Sequence, residues 1–310
     1  MTGTNPDGWV AVDYQDWRET CDTLHAHSQV LGKLAAALGW PEPQLQHAAL
    51  RITARGWETL ALPAADRSGA IVLGLDLHAH EVFVEHSDGA SRRIALTPNR
   101  PVGDVTREVL AAVTGVAGPV KIDPTPQEVW WTARLDEDTE HATYDTAAVN
   151  RYFAAASRAA LVLAAFRAPY RGRSTPVNAW WGSFDLAVSL FSGLPADPPS
   201  ADFIMRNAMD SQEVALGWWP GDPRYPKAAF YAYAHPAVEG LADASLTPAA
   251  ARWAGDLGEF VLDWNDVRAS PDPHETALSF ARSAFRHACT VCNWDPALLA
   301  SAEGSPPPVS

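Results

Sequence analysis

Apolar positions near the start of the chain follow a helical period. Seven positions recur at alternating steps of four and three residues and therefore share one face of a helix: Trp17, Cys21, Leu24, Ser28, Leu31, Ala35 and Leu38. Gly39 and Pro41 follow the last of them, which predicts a helix over 17–38. A polar row of His25, Gln29 and Lys33 lies beside this face, where it either faces a cavity or forms a solvated flank.

Short segments with strand character follow this helix. The pattern predicts strands over 50–55, 58–62, 70–77, 81–86 and 93–96. Ser87-Asp88-Gly89 indicates a hairpin between the last two, because glycine supplies the positive φ of a tight turn. A helix over 102–113 and one more strand over 120–122 complete the first half.

The second half repeats this order of elements. A helix over 145–166 is apolar almost all round, which is typical of a helix buried between layers. Five strands are predicted after it, over 177–184, 186–191, 213–218, 229–234 and 259–262. The closing helix begins at Asp272-Pro273-His274-Glu275, where Asp caps the helix, Pro occupies the first turn and Glu completes a capping box.

The order of elements predicts an α+β fold in which antiparallel or mixed sheets pack against long helices. We expect one compact unit over 1–310, and we treat two similar helix–meander–helix halves, 9–140 and 141–298, as a hypothesis of internal duplication. Residues 299–310 include Ser305-Pro306-Pro307-Pro308 and are predicted to form a disordered tail.

Composition narrows the class of protein. A formal charge of −14 with 47% apolar residues excludes a basic nucleic-acid-binding surface and a disordered chain. Three cysteines are too few for a disulfide framework and point to a reducing compartment. The first twelve residues lack a signal-peptide pattern, and the longest apolar run, 159–166, is far shorter than the ~20 residues of a membrane span. The expectation is a cytoplasmic protein without a nucleic-acid or membrane partner, whose oligomeric state stays open.

The sequence lacks the motifs of several enzyme classes, and two further patterns each have a functional and a structural interpretation. The chain has no phosphate-binding loop, no dinucleotide-binding glycine motif and no serine-hydrolase elbow. Cys289 and Cys292 form an isolated C-x-x-C pair at a helix end, which favours structural thiols over a redox or metal pair. Asp76, His78 and His80 alternate along a predicted strand and would share one face, as a metal chelate or as the polar side of a half-buried strand.

The densest group of polar and aromatic residues lies in the second half. A strand over 178–185 would place Trp181, Ser183 and Asp185 on one side and Asn178, Trp180 and Phe184 on the other. Gln212 and Glu213 precede Trp218, and Tyr231, Tyr233 and His235 would share a strand face. Because a carboxyl group beside tryptophan has a raised pKa, Glu213 is the leading candidate for acid–base chemistry, with a structural carboxylate as the alternative.

These motifs resemble a known bacterial family, the one designated domain of unknown function 5996. The resemblance rests on the following blocks: Thr23-Leu24-His25 with Gln29 and Gly32-Lys33, Thr53-Ala54-Arg55-Gly56, Pro176-Val177, Trp181-Gly182-Ser183-Phe184-Asp185-Leu186-Ala187-Val188, Phe191-Ser192-Gly193, Trp219-Pro220-Gly221, Phe230-Tyr231-Ala232-Tyr233 and Leu257-Gly258-Glu259-Phe260. It covers nearly the whole chain and implies a bacterial, cytosolic protein formed as a single unit, without an assigned reaction.

Departures from the family pattern concern groups that carry protons or bind metals. The resemblance implies His at the positions of Gln44, Asn178 and Gln212 and Lys at Arg173, whereas His25, His47, His80 and Glu213 match the family. Amides keep the hydrogen-bonding capacity of imidazoles but cannot carry protons. We therefore expect that a histidine-based centre, if the family has one, is lost or altered here, and that Asn178, Gln212 and Glu213 face one tryptophan-lined pocket.

Three function hypotheses follow. The first is an acid–base cyclase, isomerase or lyase of bacterial specialised metabolism that uses no redox cofactor. Its catalytic candidates are Glu213, Asp185 and His25, and its substrate-binding candidates are Asn178, Gln212, Trp181, Trp218, Tyr231, Tyr233, Lys33 and Arg55. The second is a non-catalytic small-molecule-binding protein with the same pocket. The third is a hydrolase that holds a divalent metal with His25, His47 or His80 and a carboxylate.

Overall fold

A computed structural model describes residues 8–303 of the chain. Seven α-helices are present in these residues: α1 (Tyr14–Leu38), α2 (Val102–Ala117), α3 (Thr146–Arg167), α4 (Phe203–Ala208), α5 (Trp264–Ala269), α6 (Pro273–Val291) and α7 (Pro296–Glu303). Two short 3-10 helices cover Pro43–Leu45 and Leu241–Asp243. Twelve antiparallel strands accompany them: β1 (Leu50–Ile52), β2 (Gly56–Glu58), β3 (Leu62–Pro63), β4 (Ala70–Asp76), β5 (Glu81–His86), β6 (Ser91–Ala95), β7 (Asn178–Trp180), β8 (Asp185–Pro195), β9 (Ser211–Trp219), β10 (Ala229–His235), β11 (Arg252–Ala254) and β12 (Glu259–Asp263). The α+β class predicted from the sequence is confirmed.

The chain divides into two compact units. The α1 unit contains residues 14–153 and 178–185, and the β9 unit contains the described parts of 1–13, 154–177 and 186–310. The chain returns to the α1 unit with the eight residues 178–185, so the boundaries of the units do not coincide with the halves 9–140 and 141–298. The sequence pattern carries no signal of this return. The single unit over 1–310 stays a prediction.

The α1 unit has a sheet with the strand order β7-β1-β2-β4-β5-β6, and β3 pairs with the side of β4. Strands β4 to β6 form the predicted meander, joined by a turn at 87–90. The apolar side chains of Ile71, Leu73 and Leu75 are fully buried, as the two-residue period of β4 predicts. Helix α2 packs on β5 and β6, and α1 packs on α2.

The β9 unit has a sheet with the strand order β11-β12-β10-β9-β8. Helix α6 lies on β9, β10 and β12 and buries its apolar stripe there. Asp272 caps α6 by accepting a hydrogen bond from the backbone N–H of Glu275, as predicted. Strand β11 enters the sheet outside β12, so the strand order follows the chain order less closely than in the α1 unit and gives the internal duplication no support.

Turns interrupt the strand predicted over 177–184 and end β4 before His78 and His80. The segment predicted over 177–184 ends at Trp180, where the backbone turns so that the N–H of Phe184 donates to Trp180 O (2.8 Å) and Phe184 takes a φ of 58°. Strand β4 ends at Asp76, whose carboxylate accepts hydrogen bonds from the N–H groups of His78 (3.0 Å) and Ala79 (2.8 Å). This side-chain cap favours a turn over continued strand, so the three residues at 76, 78 and 80 do not share a strand face.

Three further differences concern irregular and terminal segments. Residues 118–145 contain neither an α-helix nor a β-strand, so the predicted strand over 120–122 is absent. Part of the predicted tail, 299–303, belongs to α7, where Ala302 is buried. The remaining tail residues, 304–310, lie outside the described residues. Within 8–303 no helix combines the length and hydrophobicity needed to cross a membrane.

Candidate functional site

The polar row on α1 is buried rather than solvated. His25 is 6% exposed, Gln29 is fully buried and Lys33 is 8% exposed. The whole central part of α1, from Thr20 to Ala35, is buried or nearly so. Of the two interpretations that the sequence left open, the solvated flank is wrong.

His25 fixes the turn that follows β7. Its Nε2 lies 2.9 Å from Trp181 O and 3.0 Å from Gly182 O, and since carbonyl oxygens only accept, Nε2 carries the proton. Its ring also stacks on Phe184, with a centroid distance of 4.9 Å. His25 therefore holds the turn at 181–184 against α1.

Trp181 lies directly over a glycine of α1. A Cβ on Gly32 would come within 2.0 Å of the indole ring, so no larger residue fits there without displacing Trp181. The indole Nε1 donates a hydrogen bond to Ala48 O (3.1 Å), which fixes the ring orientation. Trp181 is only 2% exposed and forms a rigid wall beside the next position of the row, Lys33.

Gln29 ties the irregular segment 118–145 to α1. Its Nε2 donates to Gln127 O (2.8 Å) and its Oε1 accepts from Gln127 N (2.9 Å). A side-chain amide thus pairs with both backbone groups of one residue, as a neighbouring strand would. Because long irregular segments inside compact units are commonly binding loops or lids, this segment is the natural cover of the row.

Lys33 is a buried ammonium group with few partners. It donates one hydrogen bond, to the side-chain Oε1 of Gln127 (3.2 Å), and its Nζ lies 5.5 Å from the Trp181 ring centroid. Among residues 8–303 it forms no ion pair within 4.0 Å. Burial lowers the pKa of Lys33 to about 8, and the charge of Asp123 offsets part of this effect.

Two indole groups close to the row also lack acceptors. Trp131 contacts the His25 ring edge-on at 5.2 Å, and Trp57 contacts Phe184 at 5.0 Å. The buried Nε1 of each has no hydrogen-bond partner among residues 8–303. Unpaired buried N–H groups cost about 1–3 kcal/mol each, so a bound molecule with acceptor oxygens would relieve that cost.

We define the α1 site by six residues: His25, Gln29, Lys33, Gln127, Trp131 and Trp181. The Lys33 ammonium and the Trp131 indole N–H have spare hydrogen-bonding capacity, and both are donors. A shallow groove of about 360 Å³ lies one helical turn further along α1, at Ala37, and includes Trp40, Arg67 and Lys121 in its lining.

Two other sequence candidates of the α1 unit lie at the ends of the returning segment 178–185. Asn178 is fully buried, accepts a hydrogen bond from Arg51 Nη1 and donates one to Gln46 Oε1 (3.1 Å). Asp185 accepts a hydrogen bond from the Ser183 hydroxyl.

Arg55 is occupied by protein groups. It donates to Glu58 Oε1 (2.7 Å), and its guanidinium lies 3.8 Å from the Phe83 ring centroid. These contacts give Arg55 a structural role in the meander, and its assignment as a substrate ligand stays a prediction.

The candidate metal ligands do not form a cluster. His47 Nδ1 accepts a hydrogen bond from the backbone N–H of Glu42 (3.1 Å), and His80 Nδ1 lies 3.2 Å from the Tyr144 hydroxyl. His25 is engaged with backbone carbonyls. Within 8–303 no three His, Cys, Asp or Glu side chains are arranged to hold a metal ion. Cys21, Cys289 and Cys292 form no disulfide bond within 8–303, and burial raises the pKa of Cys289.

Glu213 is the most strongly perturbed carboxyl group of the β9 unit. It is 4% exposed, and burial raises its pKa to about 7, although a hydrogen bond from Ser189 and the charge of Arg173 act in the opposite direction. Gln212, its neighbour on β9, accepts a hydrogen bond from the Ser192 hydroxyl (3.0 Å). The Arg173 guanidinium lies 4.0 Å from the Phe191 ring centroid and donates to Ser211.

The aromatic candidates of the β9 unit form two separate sets of ring contacts. Trp218 is fully buried and contacts Trp264 edge-on, with a centroid distance of 5.5 Å. Tyr231 and Tyr233 stack in parallel at 6.2 Å on β10. The structure thus gathers His25, Lys33 and Trp181 in one site of the α1 unit, whereas Glu213, Gln212 and the tyrosines belong to the other unit.

Sequence reasoning missed Gln127 and Trp131. Both lie in the irregular segment, where no period singles out a residue. Gln29 was noticed as part of the row, but its pairing with a backbone group ninety-eight residues away has no local signal.

Comparison with known proteins places the chain in a protein family. The model of a family described as "Family of unknown function (DUF5996)" matches residues 9–301. No curated protein and no solved structure matches the chain.

Proposed function

The chain belongs to the DUF5996 family, and we propose from the geometry of its α1 site that it is an acid–base enzyme for a small organic substrate bearing an acidic or carbonyl oxygen. The observation that carries the proposal is Lys33, a buried ammonium group with a single hydrogen bond and no ion pair among residues 8–303. Burying a cation without a countercharge costs several kcal/mol, so such a group is retained where it meets a ligand or a reaction.

The surroundings of Lys33 suit a small oxygen-bearing molecule. The Trp181 indole provides an apolar wall, and the unpaired N–H of Trp131 provides a further donor. Gln127 holds the ammonium from the side of the irregular segment. A carboxylate, phosphate or carbonyl oxygen complements these groups, whereas a cationic or purely apolar molecule does not.

Lys33 would also supply the group that takes up and releases a proton in the proposed acid–base reaction. Because burial lowers its pKa to about 8, an appreciable fraction is the neutral amine near neutral pH and can accept a proton from the substrate. His25 acts as a positioning residue, since its Nε2–H is committed to two backbone carbonyls that hold the Trp181 turn.

Binding can be tested before the substrate is known. Small carboxylates, 2-oxo acids and phosphate monoesters are titrated into wild type, Lys33→Met and Lys227→Met, with calorimetry as the readout. Lys227 is an exposed lysine paired with Asp263 and serves as the matched control. We expect an anion that binds wild type and the control but binds Lys33→Met at least about tenfold more weakly, the loss of one charge-assisted hydrogen bond. Equal affinity in all three proteins contradicts the proposal.

Turnover then separates catalysis from binding alone. A bound compound is incubated with the protein and followed by NMR for exchange of its acidic C–H protons with deuterium. Exchange whose rate rises with an apparent pKa near 8 supports acid–base catalysis by Lys33. A ligand that binds at Lys33 and is recovered without exchange or conversion identifies the chain as a non-catalytic binding protein.

Glu213 supports a second candidate centre in the β9 unit. A carboxyl group with a pKa near 7 can act as acid or base at neutral pH, and Ser189 is positioned to donate to its charged form. Glu213→Gln is compared with Glu239→Gln, an exposed carboxylate of the same unit. Loss of turnover in the first variant alone, with Lys33→Met still active, would move the reaction to Glu213.

A further inference from the structure

Lysine is rare in this chain, and the buried cation of the α1 site is one of the few. Of the 23 basic residues only three are lysines, namely Lys33, Lys121 and Lys227, and the remaining 20 are arginines. Lys121 is exposed at the groove, and Lys227 is exposed and paired with Asp263 at 3.2 Å. Lys33 alone is buried, with its Nζ over an indole ring.

This choice of side chain carries chemical information. Arginine stays protonated in proteins and is the better partner for a carboxylate or phosphate, because its fork forms two hydrogen bonds. If position 33 only bound an anion, we would expect arginine there, since arginine supplies most of the basic side chains of this chain. A lysine differs in that its amine can lose a proton and attack an electrophile.

We propose that Lys33 is a nucleophilic amine that forms an imine with a small aldehyde or ketone held in the α1 site. This inference rests on the proposed function and specifies its substrate class. The geometry fits the role, because the amine is shielded from water, has one hydrogen bond and lies beside a rigid aromatic wall. Burial also lowers the pKa of Lys33 to about 8, which increases the neutral fraction.

The chemical step balances without a further reagent. The lone pair of neutral Nζ attacks the carbonyl carbon, and the carbonyl oxygen takes up a proton to give a carbinolamine. A C=N bond then forms as the C–O bond breaks, and the oxygen leaves as water with the two protons of the amine. The imine nitrogen takes a proton from solvent, and the resulting cation withdraws electrons from the neighbouring carbon.

The test traps the imine by reduction. Full-length protein is incubated with pyruvate and sodium cyanoborohydride, and in a second arm with acetone, which lacks the acid group. Intact mass and peptide mapping assign any secondary amine among the three lysines. At pH 8 an amine of pKa 8 has about a hundredfold larger neutral fraction than one of ordinary pKa near 10.4, so we expect Lys33 to be modified at least about tenfold faster than Lys121 or Lys227.

Variants make the result specific. Lys33→Arg keeps the charge and should abolish the adduct, whereas Lys121→Arg and Lys227→Arg should leave it unchanged. Circular dichroism confirms that each variant is folded, and the labelling rate of wild type should rise with an apparent pKa near 8. Faster adduct formation with pyruvate than with acetone would add an acid group to the substrate class, and equal rates would restrict the class to plain carbonyl compounds.

The inference can fail separately from the proposed function. Adducts confined to Lys121 or Lys227, or the absence of adducts from pH 6 to pH 9, would overturn the imine. If anions still bind wild type and bind Lys33→Met more weakly, the α1 site remains a site for acid–base chemistry without covalent attachment. If no adduct forms at Lys33 and the Lys33→Met change does not weaken anion binding, both the imine and the proposed function are overturned.

Discussion

The indole ring of Trp181 lies directly on Gly32, so closely that a Cβ at this position would approach the ring to 2.0 Å. This contact joins the middle of α1 to the turn after β7, and it places the apolar wall of the α1 site next to Lys33. The helix has a glycine in its interior, where glycine is intrinsically unfavourable, because no other residue permits this approach.

We expect Gly32→Ala to destabilise the α1 unit by about 1–3 kcal/mol, the usual cost of overpacking a buried contact. Gly115→Ala on α2 is the matched control, since a Cβ there meets no atom within 4 Å and the change should stabilise the helix by ~0.5–1 kcal/mol. Urea denaturation measures both. A neutral or stabilising Gly32→Ala would show that Trp181 moves away freely.

The buried charge of Lys33 should make the free energy of unfolding depend on pH in the alkaline range. Because its pKa is lower in the folded chain than the ordinary 10.5, the unfolded chain binds the proton more tightly between pH 8 and pH 10.5. Wild type therefore gains stability as the pH rises through this window. Lys33→Met should be more stable than wild type at pH 7, and the difference should shrink toward pH 10.5. Urea midpoints at five pH values measure this, and a difference independent of pH would contradict it.

Glu213 should give the opposite dependence at acidic pH. Its pKa rises from 4.5 in the unfolded chain to about 7 in the folded chain, so the folded chain binds more protons between these values and loses stability as the pH rises. Glu213→Gln should match wild type near pH 4.5. Above pH 7 the variant should be more stable by on the order of 3 kcal/mol, the equivalent of the pKa shift. Equal stability of wild type and Glu213→Gln at pH 8 would mean that the ionised carboxylate of Glu213 is not desolvated in the folded chain.

Gln29→Glu should loosen the irregular segment 118–145. A carboxylate can still accept from Gln127 N, but its second oxygen would face Gln127 O, where the amide now donates. We expect faster hydrogen exchange of the amides around Gln127, with α2 unaffected. The fully buried site should also raise the pKa of the introduced carboxyl group, so acidification should restore protection as the group becomes a donor. Unchanged exchange near neutral pH would show that other contacts hold the segment.

A further anchor of this segment offers a matched pair of variants. Asp138 is 1% exposed, lies 2.7 Å from His141 Nδ1 and also accepts from two backbone N–H groups. Burial opposes the charge of Asp138, yet these hydrogen bonds lower its pKa below the usual value. Asp138→Asn should cost about 1–3 kcal/mol at pH 7, because one oxygen acceptor becomes an unmatched donor. Asp136→Asn, whose carboxylate pairs with Arg134 near the surface, should cost less than about 1 kcal/mol, and thermal melts compare the two.

The sequence predicts the regular parts of the fold because their causes are local. The period of α1, the alternation of β4 and the cap of α6 at Asp272 each depend on residues a few positions apart. The turn after Trp180 was missed because the alternation of 178–185 fits a strand equally well. Only its contacts with α1, more than 150 residues away, favour the turn.

Only those parts of the candidate site that have a local sequence signal could be predicted. The row at His25 and Lys33 is visible as a period, but whether it faces water or protein depends on 118–145, which has no period of its own. The titrating character of Glu213 was predicted from its neighbours in sequence, and the raised pKa agrees with it. Its grouping with Asn178 in one pocket stays a prediction, since the two residues belong to different units.

The return of residues 178–185 to the α1 unit matters for the order in which a ribosome delivers the chain. When residue 153 has emerged, α1 lacks both carbonyl partners of His25 and the ring that covers Gly32. The nascent unit must wait until residues 154–177, which include most of α3, have been made before its last strand arrives. A gene fragment cut at the first boundary between the units would therefore encode an incomplete protein, and any expression fragment meant to carry the α1 site has to extend to Asp185.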